Sequence, residues 1–497
     1  MQYWAEAAIY SAIFQGSHAL SRVLACNAGA WLKGGGSHRC TEEGFAVLDK
    51  SAEKVARVGC GSGFAMDRLE PALELARSGK VDYLGFDALA ERTLAFAHLR
   101  RRADSSKGYD DRLDELLEKF APYVANGLKI VGSFGAANVE AGAKIVHERL
   151  GEMGYHGLKV AAIQGDDVLE QVRSADPYIA ELGKHVSELG GRVNSANAYL
   201  GSKEVLEALQ NGANWIVGGR LCDPALYVGP ICHALGWSLD DWDRVAHATL
   251  VGHLLECSTH VTGGYFADPP YRVVEGLGNL PFPYAEVRDK TAIITKLEGT
   301  GGRVDEQIVA AQVSYEVHDP AAYTNPDIVA DFTQVTAKVV GPDRVEVKGA
   351  RGKPRPDLAK VLVAVDMGYK VVAEISYAAS GSLVRAELAE GVIRERITKM
   401  GEVVQEHRID MHGVNTMVGD HFRAKNDSDP VEVRLRVAAR CATQKAAETI
   451  SLEVERLFLE GPAGGGGVSR RVEPVLGVYP VYIPVEQIST RITYMET

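Results

Sequence analysis

Residues 128–163, LKIVGSFGAANVEAGAKIVHERLGEMGYHGLKVAAI, carry the pattern that decides the fold. An apolar run, Leu128–Ser133, precedes a segment with helical spacing, Val139–Leu150, and a second apolar run, Leu158–Ile163, follows it. Two short apolar runs joined by a helix are typical of a right-handed βαβ crossover, whose two strands lie parallel in one sheet. This stretch therefore predicts an α/β fold.

The same alternation continues on both sides, from about residue 55 to residue 235. The further predicted strands are Val55–Val58, Val81–Phe86, Val193–Tyr199 and Asn214–Val217. The further predicted helices are Glu70–Ser78, Ala88–Arg102, Asp111–Asn126 and Lys203–Gln210. We expect a Rossmann-like parallel sheet that binds its ligand at the carboxyl ends of the strands.

Beyond about residue 270 the pattern changes to alternating apolar and polar residues, which favour antiparallel strands. Examples are Thr291–Lys296, Gln312–Val317, Val335–Val340, Val345–Lys348, Val361–Val365 and Val371–Tyr377; two helical stretches, Leu383–Met400 and Gln444–Glu460, accompany the strand-like runs Val403–Met411 and Val431–Arg436. The Pro- and Gly-rich segment 268–283 is the best boundary. We predict an N-terminal extension over 1–54, a parallel-sheet domain over 55–270 and an α+β domain over 271–497.

Composition limits the classes of partner. The chain has 497 residues, of which 46% are apolar and 24% charged, and its formal charge is −12. A nucleic-acid binder or a membrane-surface protein is normally basic, so we expect neither partner. No window reaches the roughly 18 apolar residues of a membrane span. We expect a closed homo-oligomer, which is the commonest form of soluble oligomers.

The seven cysteines are few, odd in number and scattered, which argues against a disulfide framework. A reducing compartment fits this usage, and we predict a cytoplasmic location. Residues 1–32 are apolar with little positive charge and read as an extra helix. A transit peptide into an organellar matrix is the alternative.

Glycine is abundant, with 52 residues, and several glycines form clusters. Gly61, Ser62 and Gly63 follow a predicted strand and precede a helix, a position where backbone N–H groups can bind an anion; a simple tight turn is the alternative. A second cluster, Gly299, Gly301 and Gly302, lies beside Lys296 and predicts a similar binding loop. A third, Gly464–Gly467, reads as a flexible connection.

Acidic residues stand at predicted strand ends. Asp87 follows one strand with Glu91 one helical turn later, and Asp166 and Asp167 follow another. At the carboxyl edge of a parallel sheet such groups can bind hydroxyls or act as bases. Capping of the next helix is the alternative for Asp87 and equally for the Asp166 pair.

The segment GGRLCDP, residues 218–224, is the most informative local element. A strand delivers two glycines, then Arg220, then Asp223 at a predicted N-cap before Pro224. Arg220 is placed to bind a carboxylate or phosphate. The alternative is an internal ion pair between Arg220 and Asp223.

The helix predicted from Asp241 to about residue 260 carries a polar stripe that includes His253, Glu256, Cys257 and His260. We predict His253 as a general acid or base oriented by Glu256. Two alternatives are a zinc site of His253, Cys257 and His260, and a buried core histidine with satisfied hydrogen bonds. We favour no metal.

Taken in order along the chain, these elements resemble the acyclic terpene utilisation (AtuA) family over about residues 55–470. The matching stretches are Asp82-Tyr-Leu84, Asp87-Ala-Leu-Ala-Glu91, Gly165-Asp-Asp167, Asn197-Ala-Tyr-Leu-Gly201, Gly219-Arg220 with Asp223, Gly252-His-Leu-Leu-Glu-Cys257, Thr262-Gly-Gly264, Thr295-Lys296 with Gly299-Thr-Gly-Gly302, and Gly349-Ala-Arg-Gly352. The family's Asn-Ala-Gly-Gly-x-Asn turn reads SFGAAN over 133–138, which keeps Gly135 and Asn138. His260 is not a usual family residue.

The resemblance implies catabolism of branched, terpenoid acids activated as CoA thioesters, in the company of acyl-CoA carboxylases. We therefore predict an acid/base enzyme of hydratase, lyase or isomerase type acting on such a carboxylate or acyl-CoA, with no required cofactor. The predicted catalytic residues are Asp87, Asp223, His253 and Glu256; the predicted binding residues are Gly61, Ser62, Gly63, Asn138, Arg220, Lys296, Gly299, Gly301 and Gly302. The alternatives are a hydrolase using Cys257 with His253 or a metal-bound water, and a non-catalytic partner of a carboxylase.

Overall fold

A computed structural model describes residues 54–417, 419 and 430–497. The predicted N-terminal extension, apart from Lys54, lies outside the described residues. Residues 53–497 form one compact unit.

The strands are, in chain order, β1 (Ala56–Ser62), β2 (Tyr83–Phe86), β3 (Lys129–Gly132), β4 (Lys159–Gln164), β5 (Tyr178–Ile179), β6 (Lys184–His185), β7 (Val193–Ala198), β8 (Trp215–Gly218), β9 (Tyr284–Val287), β10 (Ala292–Thr295), β11 (Tyr323–Thr324), β12 (Val329–Asp331), β13 (Thr336–Gly341), β14 (Arg344–Lys348), β15 (Arg351–Lys353), β16 (Leu358–Ala378), β17 (Val404–His412), β18 (Glu432–Cys441), β19 (Gly466–Pro484) and β20 (Arg491–Glu496).

The α-helices of the described residues are α1 (Glu70–Ser78), α2 (Glu91–Ala103), α3 (Leu113–Ala125), α4 (Val139–Glu152), α5 (Leu169–Ala175), α6 (Lys203–Gln210), α7 (Ala225–Leu235), α8 (Trp242–Glu256), α9 (Glu306–Val313), α10 (Ser382–Met400) and α11 (Gln444–Glu460). Several bounds equal the predicted ones, because amphipathic spacing and Gly or Pro at the ends fix a helix locally. None of these helices has both the length and the apolar character needed to cross a membrane.

The largest sheet in the described part of the chain has ten strands in the order β13-β14-β10-β9-β1-β2-β3-β8-β4-β20. Its centre, β1-β2-β3-β8-β4, is parallel, whereas β9, β10, β13, β14 and β20 join it antiparallel. The α/β class is therefore confirmed in the coarser form of a mixed α/β protein with a mixed sheet. A Rossmann-like arrangement remains a prediction.

Helices cover both faces of this sheet. Neighbouring residues of one strand enter different cores: Ile216 of β8 packs in the core that includes α7 and α8, whereas Trp215 and Val217 pack in the core that includes α3 and α4. Burial on both faces explains why the central strands read as continuous apolar runs in the sequence.

The long strand β16 organises a second sheet. One edge of β16 pairs with β19, and the other edge pairs with β7 over its first half and with β18 over its second half, beyond which lies β17. Helices α10 and α11 pack on this sheet through a separate core. The prediction that Val193–Tyr199 joins the parallel sheet was wrong, because β7 hydrogen-bonds to β16 instead.

Two further expectations need correction. Gln312–Val317, predicted as a strand, contains the end of α9 and a turn, because the local alternation of apolar residues also satisfies a short helix. The run Gly464–Gly467, predicted as a loop, ends inside β19. The boundary near residue 270 stays a prediction; strands on both sides of it share the ten-stranded sheet.

Candidate functional site

Five carboxylates lie around Arg220 near the carboxyl ends of β2 and β8, and we call this set the acidic cluster: Asp87, Glu91, Asp223, Glu256 and Glu316. The charge of Asp223 helps to raise the pKa of Asp87, Glu256 and Glu316, which places it at the centre. The side chain of Asp223 is 34% exposed, so the cluster reaches solvent there.

Arg220 is held on several sides. The residue is 2% exposed; Nη1 donates to the Leu89 carbonyl at 2.7 Å, and Nη2 lies 3.0 Å from Asp223 Oδ1. The guanidinium carbon lies 4.2 Å from the centroid of the Tyr199 ring. The contact between Arg220 Nη2 and Asp223 Oδ1 is an ion pair, but its angles do not meet those of a hydrogen bond. The internal ion pair named as the alternative for Arg220 is therefore present.

Two hydrogen bonds to the Asp166 side chain hold the backbone of Arg220 in place. Asp166 Oδ2 accepts from the Arg220 N–H at 3.0 Å and from Asn197 Nδ2 at 2.9 Å. Burial raises the pKa of Asp166 to about 6. Asp166 thus stabilises the segment that follows β8. These contacts do not cap the helix after Asp166, which was the alternative for this residue. Asp223 is not the N-cap either, since Pro224 occupies that position of α7.

Asp87 follows β2 directly and is built into the strand end. Its N–H donates to the Ser62 carbonyl at 3.1 Å, Ser62 Oγ donates to its carbonyl at 2.7 Å, and Oδ1 accepts from the Leu89 N–H at 3.1 Å. Burial raises the pKa of Asp87 well above its usual range, and Asp223 adds to this while Arg220 opposes it. A carboxyl in this state holds its proton more firmly than an exposed aspartate.

His253 and Glu256 form a buried pair on the last turn of α8. His253 Nδ1 lies 2.9 Å from Glu256 Oε1, and His253 Nε2 lies 2.9 Å from the Gln312 carbonyl. A carbonyl only accepts, so Nε2 carries a hydrogen and one proton is shared between Nδ1 and Glu256. Both ring nitrogens therefore face protein groups, and His253 is 1% exposed.

Glu256 keeps one oxygen for other chemistry. Within the described residues no hydrogen-bond partner reaches Oε2, although the residue is only 8% exposed. Burial raises the pKa of Glu256 to about 7, against the lowering effect of His253. Burial lowers the pKa of His253, but Glu256 and the Gln312 carbonyl together raise it by more than burial lowers it. The pKa of His253 is therefore raised.

The first glycine loop packs inside the protein. A Cβ on Gly61 would come within 2.5 Å of the Phe86 ring, and one on Gly63 within 2.8 Å of the Glu256 carbonyl oxygen. Ser62 is fully buried on Asp87, and the Gly63 N–H donates to Asp67 Oδ2 at 2.9 Å. Asp67 therefore occupies the Gly63 N–H, and the binding role of this glycine cluster stays a prediction.

The remaining predicted binding residues also make internal contacts. Asn138 Nδ2 donates to the Ser105 and Lys107 carbonyls, each at 2.9 Å. Lys296 Nζ lies 3.1 Å from both Asp343 Oδ2 and the Thr300 carbonyl, while the Gly301 and Gly302 N–H groups donate to the Asn279 and Glu275 carbonyls. Gly299 has φ +75°, which a turn at this point requires. These contacts connect loops to one another, and none of them joins these five residues to the acidic cluster.

The predicted zinc set lacks suitable donors. His253 uses both nitrogens within the protein, and the His260 ring lies between Tyr265 and Tyr315 with centroids 5.2 and 5.0 Å away. In the described part of the chain no group of three or more His, Cys, Asp or Glu side chains is arranged to hold a metal ion. Burial raises the pKa of the half-buried Cys257 thiol.

Sequence reasoning missed several members of the site. Glu316 has φ +56° and lies within the segment Gln312–Val317 that was predicted as a strand, so no sequence signal placed it here. Tyr199 donates to Glu91 Oε1 at 2.9 Å, and the Arg220 charge lowers the pKa of Glu91 although burial raises it. Tyr199 belongs to the stretch 197–201, whose match to the family was a usable signal.

The comparison with protein families decides the relationship. The model of the acyclic terpene utilisation family protein AtuA matches residues 56–494. The chain belongs to the AtuA family. The resemblance seen in the sequence is confirmed, and the match covers nearly the whole chain. AtuA membership implies a role in acyclic terpene utilisation. Comparison with curated proteins and with solved structures gave no match.

Proposed function

We propose that this AtuA chain is an acid/base enzyme of terpene catabolism, of hydratase, lyase or isomerase type, in which Glu256 moves the proton. The substrate is a branched or terpenoid carboxylate or its CoA thioester. One observation carries the proposal: Glu256 has one oxygen on His253 and a second buried oxygen with no partner among the described residues. A carboxyl group with a pKa of about 7 exchanges a proton readily near neutral pH.

The other residues support this step. His253 is a positioning residue, because it holds Glu256 and shares its proton but faces no free space with either nitrogen. Arg220 polarises the substrate oxygen, and Asp87 or Asp223 is the second proton-carrying group. In isomerisation the Glu256 carboxylate takes a proton from a carbon beside the carbonyl and returns it to another carbon. In hydration the elements of one water are added across a double bond.

The proposed chemistry requires no cofactor and no metal. We place it in the cytoplasm, since the five described cysteines are free thiols; an organellar matrix is the alternative. The expected partners are a small-molecule carboxylate or acyl-CoA and further copies of the chain, not nucleic acid or membrane.

The test is a mass-spectrometric assay of the intact protein. A panel of CoA thioesters of acyclic, methyl-branched acids and the free acids is incubated in D₂O, and the products are scored for deuterium, for gain or loss of water and for cleavage. Glu256→Gln should reduce the rate by about 100-fold or more while the melting temperature stays close to that of the wild type. An unchanged rate in this variant would contradict the proposal.

The same assay separates the rival functions. Since burial raises the pKa of Cys257, it stays a thiol near neutral pH and is a poor nucleophile. Alkylation of the thiols should therefore leave the rate unchanged, and loss of activity would favour the hydrolase. No turnover of any substrate, together with copurification of a biotin carboxylase, would favour the non-catalytic partner.

A further inference from the structure

Acidic side chains outnumber basic ones around Arg220 and its ion-pair partner Asp223. Asp87 faces the site from the end of β2, Glu91 from the start of α2, Asp223 from the loop before α7, Glu256 from α8 and Glu316 from the turn after α9. The positive groups are Arg220, His253, and Lys360, whose Nζ lies 4.8 Å from the Tyr199 ring. The neighbouring titratable groups Tyr199, Cys222, Cys257 and Tyr323 all have raised pKa values and are neutral near pH 7. Above about pH 7, where Glu256 has lost its proton, a further anion would be repelled here.

Arg220 also has little left to offer a carboxylate. A carboxylate binds a guanidinium best through two parallel N–H groups. Nη1 already serves the Leu89 carbonyl, Nη2 faces Asp223, and one face of the guanidinium lies on Tyr199. The buried Nε is the guanidinium nitrogen without a partner among the described residues. One N–H suits a single acceptor atom rather than a pair of anionic oxygens.

Two buried atoms therefore define what can enter. Arg220 Nε is a donor in a residue that is 2% exposed, and Glu256 Oε2 is an oxygen in a residue that is 8% exposed. A carbonyl or hydroxyl oxygen can accept from Arg220 Nε, and a hydroxyl can also donate to Glu256 Oε2, so each atom can bind an uncharged polar group. Asp223 is paired with Arg220 and its side chain is partly exposed.

We infer that the head group bound at the acidic cluster is uncharged, the carbonyl of a thioester or a hydroxyl, and that Asp223 determines this preference by neutralising Arg220. The inference rests on the proposed function, since it concerns the same site. It selects the thioester over the free acid among the proposed substrates. It also assigns Asp223 to specificity rather than to proton transfer.

The experiment is equilibrium binding by calorimetry at about pH 8 with the full-length protein. The probes are an acyclic, dimethyl-branched ten-carbon carboxylic acid, the primary alcohol of the same skeleton and its N-acetylcysteamine thioester, which carries no phosphate. The wild type should bind the alcohol and the thioester at least about tenfold more tightly than the acid. Equal or tighter binding of the acid would overturn the inference.

Substitutions test whether Asp223 causes the preference for uncharged probes. Asp223→Asn frees the Arg220 charge and should tighten binding of the acid by about tenfold or more, with little change for the alcohol. Asp111→Asn, at a side chain that is 67% exposed, changes the net charge equally and should leave the ratio unchanged. An unchanged ratio in Asp223→Asn would refute the role of Asp223.

A second measurement is available if Asp223→Asn does not fold. In the wild type, binding of the acid relative to the alcohol should weaken as the pH rises from about 5 to about 8, because probe and cluster lose protons together. A ratio independent of pH would overturn the inference. If Glu256→Gln abolishes turnover but the acid binds best, the inference fails and the proposed function stands. If the binding preference holds but Glu256→Gln turns over normally, the proposed function fails and the inference about the head group stands.

Discussion

Single residues in the acidic cluster differ in what their partners leave available. Histidine is the side chain that most often acts as a general base, but the Gln312 carbonyl and Glu256 occupy both nitrogens of His253. Glu256 has one oxygen occupied and one free of partners among the described residues. Hydrogen-bond partners, more than residue type, are therefore the reason why the proposed proton transfer is placed on Glu256 rather than on His253.

Replacing His253 tests this division. The imidazole lowers the pKa of Glu256 against the effect of burial. In His253→Gln that pKa should rise above about 7, so the carboxylate form appears only at higher pH and the rising limb of the pH–rate profile moves upward. Activity at pH 7 should fall by about fivefold if the pKa of Glu256 rises from about 7 to about 8, and further if it rises more. His156→Gln, at an exposed histidine, is the control. A profile that stays in place or moves to lower pH would show that Glu256 is not the base.

Asp166 provides a prediction about stability. Burial raises its pKa from 3.8 to about 6, so the folded state holds a proton that the unfolded state has lost. The stabilisation from this proton is present below about pH 4 and is lost as the pH rises through about 6. From pH 5 to pH 8, the wild type should lose about 1 kcal/mol of unfolding free energy relative to Asp166→Asn, measured by denaturant unfolding. An equal pH dependence in the two proteins would contradict this.

At the scale of elements, the glycine loop after β1 acts as a packing surface for the end of α8. The helix end carries His253 and Glu256, and the backbone of residues 256–258 lies directly against Gly63. A side chain at this position would have to move backbone, which is costly because protein interiors are close-packed. The packing of Gly63 thus helps to determine where Glu256 lies.

Gly63→Ala should therefore reduce both stability and activity. Its Cβ would lie 2.8 Å from the Glu256 carbonyl oxygen and 3.0 Å from both the Cys257 carbonyl carbon and the Ser258 nitrogen. Overpacking of this kind costs about 1–3 kcal/mol. The control is Gly391→Ala in α10, where a Cβ meets nothing within 4 Å and a gain of up to about 1 kcal/mol is expected. Thermal unfolding and the turnover assay measure both variants. Wild-type stability in Gly63→Ala would argue against this packing role.

For the whole molecule, the ten-stranded sheet joins distant parts of the chain. β9 pairs with β1, and β20 pairs with β4 along its full length, so residues near 490 complete an edge formed by residues near 160. The N-terminal parallel strands therefore obtain part of their hydrogen bonding from segments beyond residue 270.

Division of the chain at residue 270 tests this dependence. A fragment ending there lacks β9 and β20, so it leaves β1 and β4 as unpaired edges that favour aggregation. Expressed alone, it should be aggregated and lack a cooperative unfolding transition, measured by size-exclusion chromatography and circular dichroism. Coexpression with residues 271–497 should restore a soluble complex. A monomeric fragment that unfolds cooperatively would instead support the boundary predicted at residue 270.

The sequence by itself determined the mixed α/β class, most helix bounds, the family and the positions of Asp87, Arg220, Asp223 and Glu256 near strand or helix ends, because these follow from local periodicity and from motifs within a few residues. Only the tertiary structure decided which polar groups are already partnered. The Gln312 carbonyl reaches His253 across 59 residues, and β7 pairs with β16 rather than with the parallel sheet. Such contacts join segments that are distant in sequence and meet only in the folded chain. They cannot be predicted from the spacing of apolar and polar residues along one segment.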